Sequence, residues 1–155
     1  MPKEFAKQSG RKNHTRKEWY DTSVLYTDYV LKSVYEYGKK HLNLQAMIYC
    51  SDHGENLKYG HTTAYFSFDM VRIPMFVYLS EKYRNIYQDK AKNLNNNKDA
   101  IFTNDLMFDT VCGIMNLPNN FYKRKYDLSD EQYDLPLEAA VTNHGKTKIS
   151  EDRLS

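Results

Sequence analysis

Apolar residues recur at helical spacing in the first third of the chain. Between residues 20 and 38 the gaps alternate between three and four, which places one stripe on the face of a single helix. The stripe consists of Tyr20, Val24, Thr27, Leu31, Val34 and Gly38. Asp21, Thr22 or Ser23 is expected to cap its start, and Gly38 followed by two lysines and a histidine is a typical helix end. The pattern therefore predicts an amphipathic helix.

Two short apolar runs follow, at residues 44–51 and 73–80. Both have the length of strands, and the first is apolar throughout, which is typical of a strand buried on both faces of a mostly parallel sheet. Pro74 places the second at an edge or a strand start. Helix, short loop and buried strand together predict an α/β fold, a partial α/β/α sandwich with a mostly parallel sheet flanked by helices. So few strands predict only part of a domain.

A second helix is predicted within residues 103–118, with Thr103 or Asn104 as its cap. It is apolar over most of its circumference, so we expect it to be deeply packed, with Asp105, Asp109 and Asn116 on its narrow polar side. The asparagine-rich residues 88–100 are expected to form a surface loop with at most a helical turn, and residues 140–142 a short strand.

Composition and charge add limits to this picture. The length of 155 residues fits one domain, which we divide into a basic N-terminal arm, residues 1–18, and a main portion, residues 19–155. The net charge is only +2, which gives no general indication of nucleic-acid binding, although the arm could contact phosphate or anionic lipid. No apolar run is long enough for a membrane span, and no secretory signal is recognisable. Cys50 and Cys112 are expected to be free thiols.

The chemistry-bearing segment is Asp52-His53-Gly54-Glu55, at the end of the first apolar run. A carboxylate and an imidazole at a strand end suit zinc or manganese, provided that the backbone bends there, and Gly54 would ease that bend. Glu55 could orient the ligands. An ordinary turn explains the same residue types. His61 either returns to this site or is an exposed loop histidine, and His144 is expected in a turn.

Four stretches resemble a known family: "YDTSVLYTDYVLKSVYEY", "MIYCSDHGEN", "RIPMFVYLSEKY" and "TNDLMFDTVCGIMNLP". In order and spacing they are similar to the C-terminal half of phosphoethanolamine transferases, which belong to the sulfatase and alkaline phosphatase superfamily. The resemblance extends from Tyr20 to about Ile149. It implies an alkaline phosphatase/sulfatase-type sandwich, with Asp52 and His53 as zinc ligands and His61 in contact with the transferred phosphoryl group.

The resemblance also implies an activity and a place. Phosphoethanolamine would move from phosphatidylethanolamine to lipid A or another glycan acceptor through a phosphoenzyme, at the periplasmic face of the bacterial inner membrane. The family's threonine nucleophile and its membrane helices have no match here. A C-terminal part of such an enzyme is therefore one interpretation. The other is an inactive truncated remnant or interaction module, since this chain alone lacks the nucleophile and would attach to a membrane only through the missing part.

Overall fold

The computed structural model describes residues 15–62 and 64–152. The first helix, α1, spans Arg16–His41. It begins earlier than the sequence predicts because Thr15 and Glu18 form a capping box: the Thr15 hydroxyl accepts from the Glu18 N–H, and the Glu18 carboxylate accepts from the Thr15 N–H. Residues 1–14 of the predicted basic arm lie outside the described residues, so the arm stays a prediction.

Helix α1 packs on the rest of the chain through Gly38, which belongs to the predicted stripe, and through Tyr35, which does not. The Tyr35 ring meets Tyr78 edge-on at 4.8 Å between centroids, and Gly38 is buried against Leu44. Val24 and Val34 remain 51% and 55% exposed. The helix was therefore predicted correctly, but much of its apolar surface has no cover within the described residues.

Strands β1, Ala46–Cys50, and β2, Met75–Leu79, form a two-stranded antiparallel sheet in which Ile48 faces Val77. The expectation of a parallel neighbour is wrong for this pair. A parallel partner requires a crossover connection, whereas the loop from residue 51 to 74 simply returns the chain alongside β1. All five β1 residues are half-buried rather than buried on both faces, because β1 has one neighbouring strand among the described residues.

Two helices follow β2: α2, Glu81–Ile86, capped by Ser80, and α3, Gln88–Asn96. The expectation of a loop over residues 88–100 is wrong for α3. Its Ala91 and Leu94 pack on a core of Leu79, Tyr83 and Ile114, and this packing outweighs the weak helix preference of asparagine. Two of the asparagines also serve the fold, since the amides of Asn93 and Asn97 donate to backbone carbonyls of residues 128–130.

Helix α4, Met107–Met115, follows a short 3-10 turn at Asn104–Leu106. It is deeply packed as predicted, with Cys112, Gly113 and Ile114 buried. The predicted polar side is wrong at one of its three positions, because Asp109 is buried and Phe108 is half exposed, while Asp105 and Asn116 at the two ends of the helix are exposed as predicted. The Asp109 carboxylate accepts from the Lys123 N–H at 2.6 Å, so a backbone donor from a later segment draws it inward.

The C-terminal part contains a small hairpin of β3, Val141–Thr142, and β4, Thr147–Lys148, which confirms the short strand expected near residue 140. Both cysteines are free thiols. Among the helices that the structure describes, none is both long and apolar enough to cross a membrane.

Candidate metal centre

The Asp52-His53 segment lies directly after β1, where the chain turns out of the sheet. The turn is held locally: the Ser51 hydroxyl donates to the His53 carbonyl at 2.8 Å, and the His53 N–H donates to Asp52 Oδ1 at 3.0 Å. Because the backbone has left the extended conformation, neighbouring side chains no longer point to opposite faces. Asp52 Oδ2 lies 3.8 Å from His53 Nε2. The two predicted ligands are thus brought together.

The His53 ring has a defined tautomer. Its Nδ1 lies 2.8 Å from the Gly54 carbonyl oxygen, and since a carbonyl can only accept, Nδ1 carries the hydrogen. Nε2 is then left with its lone pair. A backbone carbonyl on the other ring nitrogen is the arrangement that commonly orients metal-binding histidines.

The distance between these donors can be tested against zinc. Ligand atoms lie about 2.0–2.2 Å from Zn²⁺ in a tetrahedral site, which puts two of them about 3.3–3.6 Å apart. The separation of 3.8 Å between Asp52 Oδ2 and His53 Nε2 exceeds this range slightly. The Asp52 side chain is 89% exposed and can rotate, so the pair fits one ion after a small adjustment.

His61 returns to the same place, although it is eight residues further along the chain. Its ring centroid lies 4.2 Å from that of His53. Its Nδ1 lies 2.6 Å from Glu55 Oε2, and the Glu55 side chain is only 23% exposed. Glu55 therefore orients a ring as expected, but that ring belongs to His61.

A second donor set overlaps with the first. One ligand atom from each of His53, Glu55 and His61 lies within 4.8 Å of the others. This group and the Asp52-His53 pair share the His53 imidazole. Two nitrogens and an oxygen are again a donor set that suits zinc.

Gly54 fixes the position of this loop through close approach. Its φ is not among the positive values, so it is not needed for a left-handed turn. A Cβ at this position would lie 2.1 Å from the Asp69 carbonyl oxygen and 2.7 Å from that of Arg72. The Gly54 N–H also donates to the Met70 carbonyl at 2.7 Å. The glycine thus lets residues 52–56, the candidate ligand loop, pack directly on the 68–72 backbone.

Two asparagines hold the loop, and the sequence analysis predicted this role for neither. The Asn56 side-chain oxygen Oδ1 accepts from the N–H groups of Lys58 and Tyr59, and the side-chain NH₂ group donates to Asp69 Oδ2. The Asn104 amide donates to the Asp52 carbonyl at 3.3 Å. Asn56 follows the motif directly and favours turns, which is a usable signal, whereas Asn104 is distant in sequence and gives none.

A cleft of about 720 Å³ opens beside Asp52 and His53. Arg72, Asn104 and His144 are among its lining residues. His144 has a φ of 57° beside Gly145, so it lies in a turn as expected, and the turn brings it to this cleft. Burial raises the pKa of the nearby Cys50 thiol, which donates to the Asn104 side-chain oxygen and does not join the donor set.

Comparison with known proteins defines the class. The Sulfatase family profile matches residues 1–117, which is more than half of the chain. The chain belongs to the sulfatase family.

The relatives make the comparison more specific. The chain is 29% identical over 118 residues to phosphoethanolamine transferase EptA of Salmonella typhimurium and 26% identical over 118 residues to EptA of Escherichia coli K12. It also superimposes on the C-terminal periplasmic domain of phosphoethanolamine transferase EptC from Campylobacter jejuni with a TM-score of 0.67 at 23% identity. These matches confirm the resemblance and the α/β fold class.

The matches cover most of this chain but a much smaller share of each relative. They include 70% of this chain but 22% of each EptA protein, and 88% of this chain but 48% of the EptC domain. The chain thus corresponds to about half of a solved sulfatase-type domain.

Proposed function

We propose that this chain forms the metal-binding, C-terminal part of a phosphoethanolamine transferase. The observation that carries the proposal is the convergence of Asp52, His53 and His61 at the end of β1, in a chain of the sulfatase family. In the whole enzyme, the hydroxyl oxygen of a threonine outside this chain would attack the phosphorus of phosphatidylethanolamine, giving up its proton and releasing diacylglycerol. A hydroxyl of lipid A or another glycan would then take the phosphoethanolamine group and restore the threonine hydroxyl.

The residues have separate roles in this proposal. Asp52 Oδ2 and His53 Nε2 would hold zinc, or manganese, whose chemistry is to stabilise negative charge and activate an oxygen nucleophile. The Gly54 carbonyl keeps the His53 lone pair directed outward. Glu55 holds His61 by Nδ1, which leaves His61 Nε2 to face a phosphoryl oxygen and donate a hydrogen bond to it when protonated.

The test places Asp52→Ala in a full-length enzyme that contains this chain. We expect phosphoethanolamine addition to lipid A to fall by more than about a hundredfold, since a lost ligand removes the metal and with it the transition-state charge stabilisation. Asp89→Ala, at an exposed position on α3, is the matched control and should leave the activity unchanged. Normal lipid modification by the Asp52 variant contradicts the proposal.

A second function is supported by the 48% coverage of the solved domain. Taken by itself, this chain would be a non-catalytic remnant or an interaction module, because the resemblance leaves the nucleophile outside it. The purified chain should then hydrolyse no phosphodiester above the rate in buffer with added zinc. Zinc-dependent turnover that is abolished by His53→Ala would contradict this second interpretation.

A further inference from the structure

His144 lies in the turn between β3 and β4, in a backbone conformation that is uncommon for any residue other than glycine. Asn143, His144 and Gly145 have positive φ values of 51°, 57° and 78°. The turn is closed by its own backbone, since the Gly145 N–H donates to the Thr142 carbonyl at 3.0 Å. Glycine would adopt this conformation at less cost, so the turn alone does not explain an imidazole here. Residues held in such conformations are concentrated at ligand sites.

The β3–β4 hairpin is fastened to the candidate metal centre. Asp152, just beyond β4, forms an ion pair with Arg72, and the Asp152 side chain is only 10% exposed. Arg72 in turn belongs to the backbone on which Gly54 packs. As a result, His144 and His53 line the same cleft of about 720 Å³. The Sulfatase profile ends at residue 117, so His144 belongs to a part of the cleft that the family match does not include.

The lining of the cleft is suited to a sugar. Phe68 and Phe102 supply aromatic surface for the apolar face of a sugar ring. Asp105, Asn143 and His144 supply groups that hydrogen-bond to hydroxyls. Apolar walls with a few polar groups that fix orientation are the usual composition of a small-molecule site.

The charges at the cleft favour a neutral sugar. Among the described lining residues there is one arginine and no lysine. That arginine, Arg72, is already paired with Asp69 at 3.6 Å and with Asp152. Asp105 adds a further carboxylate to the lining. A phosphate on the acceptor would therefore meet a carboxylate of like charge, whereas a sugar hydroxyl can donate a hydrogen bond to it.

We propose that this cleft receives the acceptor, that the acceptor is a neutral sugar, and that His144 selects it by a hydrogen bond to one of its hydroxyls. The inference rests on the proposed function, because it names the acceptor of the same site. In the transfer step, the sugar oxygen bonds to phosphorus, the bond from phosphorus to the threonine oxygen breaks, and the sugar proton passes to that threonine oxygen. His144 holds the sugar for this step and is a specificity-determining residue.

The test uses the full-length enzyme that contains this chain, with phosphatidylethanolamine in micelles of a sugar-free detergent and octyl glucoside as the acceptor. Three products are measured. The burst of diacylglycerol without acceptor reports attack by the threonine, free phosphoethanolamine reports transfer to water, and phosphoethanolamine glucoside reports transfer to the sugar. Because water needs no sugar pocket, the ratio of the last two products isolates acceptor binding.

His144→Gly removes the imidazole without straining the backbone, since glycine readily adopts a φ of 57°. We expect kcat/KM for octyl glucoside to fall by about tenfold, the effect of one lost hydrogen bond to the substrate. The diacylglycerol burst and transfer to water should stay unchanged.

Two further variants separate the imidazole from the turn. His144→Asn also tolerates a positive φ and keeps a hydrogen-bonding side chain, so kcat/KM for octyl glucoside should fall by less than about threefold. Lys146→Ala is the control, because Lys146 is an exposed residue of the same turn that is not among those lining the cleft. It should change none of the three products.

The outcomes also separate this inference from the proposed function. Undiminished transfer to octyl glucoside by His144→Gly would overturn the role of His144, and a smaller diacylglycerol burst would assign the cleft to the donor lipid. Transfer by the unaltered enzyme to lipid A phosphate but not to octyl glucoside would make the acceptor anionic. Absence of diacylglycerol release from the unaltered enzyme would contradict the proposed function and remove this inference with it.

Discussion

Two regions of this chain differ in how far their polar side chains are buried and hydrogen-bonded. Around α4, the Asp127 carboxylate is fully buried and accepts from the Tyr122 hydroxyl and from the N–H and hydroxyl of Ser129. At the end of β1, Asp52 and His53 lie in the open with few partners. The first region is completed by its own residues. In the second region, the exposed polar side-chain atoms of Asp52 and His53 remain available to bind a ligand.

The largest effect on stability is expected in the first region, around α4 and Asp127, which we call the closed region. A Cβ at Gly113 would lie 1.7 Å from Asp127 Oδ2 and 2.3 Å from its Cγ, so Gly113→Ala must expel a carboxylate that is held by three hydrogen bonds. We expect the free energy of unfolding to fall by about 3–4 kcal/mol, despite the better helix preference of alanine. Urea unfolding of the purified chain measures this.

A double-mutant cycle tests the stated cause. Removing the carboxylate with Asp127→Ala should make the additional cost of Gly113→Ala much smaller than it is in the original chain. Met115→Ala, on the same helix at 61% exposure, is a control that should cost less than about 0.5 kcal/mol. Simple additivity of the two changes would show that the close contact is not the cause.

In the second region, at the end of β1, which we call the open region, the matching change is Gly54→Ala. The neighbouring atoms are backbone oxygens of Asp69 and Arg72, which cannot rotate away, so the ligand loop must move. Because the Gly54 carbonyl also orients His53, zinc affinity should fall by about tenfold to a hundredfold, as a competition titration with a chromophoric chelator would show.

Gly145→Ala, in the turn between β3 and β4, is the control for Gly54→Ala. It has free space around it but a φ of 78°, so it should lower stability by about 1–2 kcal/mol and leave zinc affinity unchanged. If both glycine variants lost zinc affinity equally, the loss would reflect general destabilisation and not the position of the ligand loop.

A smaller effect distinguishes the two overlapping donor sets. If Asp52 and His53 hold the metal, Glu55→Gln should change the zinc dissociation constant by less than about threefold, because the hydrogen bond described for the Glu55 carboxylate goes to His61. Asp52→Ala should weaken binding by about tenfold or more. The same titration measures both. The reverse order would assign the metal to His53, Glu55 and His61.

The contrast between the regions also explains what the sequence could predict. Local apolar patterns were sufficient to locate α1, β1 and β2, because α1 carries a stripe at helical spacing and each strand is an apolar run of strand length. It failed for Asp109, which is buried by a hydrogen bond from Lys123, and for α3, which depends on packing of Ala91 and Leu94. Contacts between distant segments leave no local pattern.

The candidate ligand residues show the same division. Asp52 and His53 could be proposed as ligands because a strand end, a motif and a family resemblance all concern one short segment. The link from Glu55 to His61 and the support from Asn104 depend on how the loop folds back. The antiparallel pairing of β1 with β2 was likewise missed, since an apolar run does not encode the direction of its neighbour.

A further expected effect concerns the closed region and its dependence on pH. Burial, with smaller contributions from Tyr87 and Asp127, raises the pKa of Tyr83 to about 12, and the Tyr83 hydroxyl donates to the Ile114 carbonyl at 2.5 Å. The unfolded pKa of tyrosine is about 10, so this stabilisation is complete below pH 10 and is lost as the pH rises toward 12. Tyr83→Phe should cost about 1 kcal/mol at neutral pH and make the alkaline loss of stability shallower, as urea unfolding between pH 7 and 11 would show.

Tyr37→Phe, at 60% exposure, is the control and should leave the dependence of stability on pH unchanged. An alkaline loss as steep in Tyr83→Phe as in the original chain would mean that other groups, such as Tyr133, whose pKa burial also raises to about 12, control stability in that range.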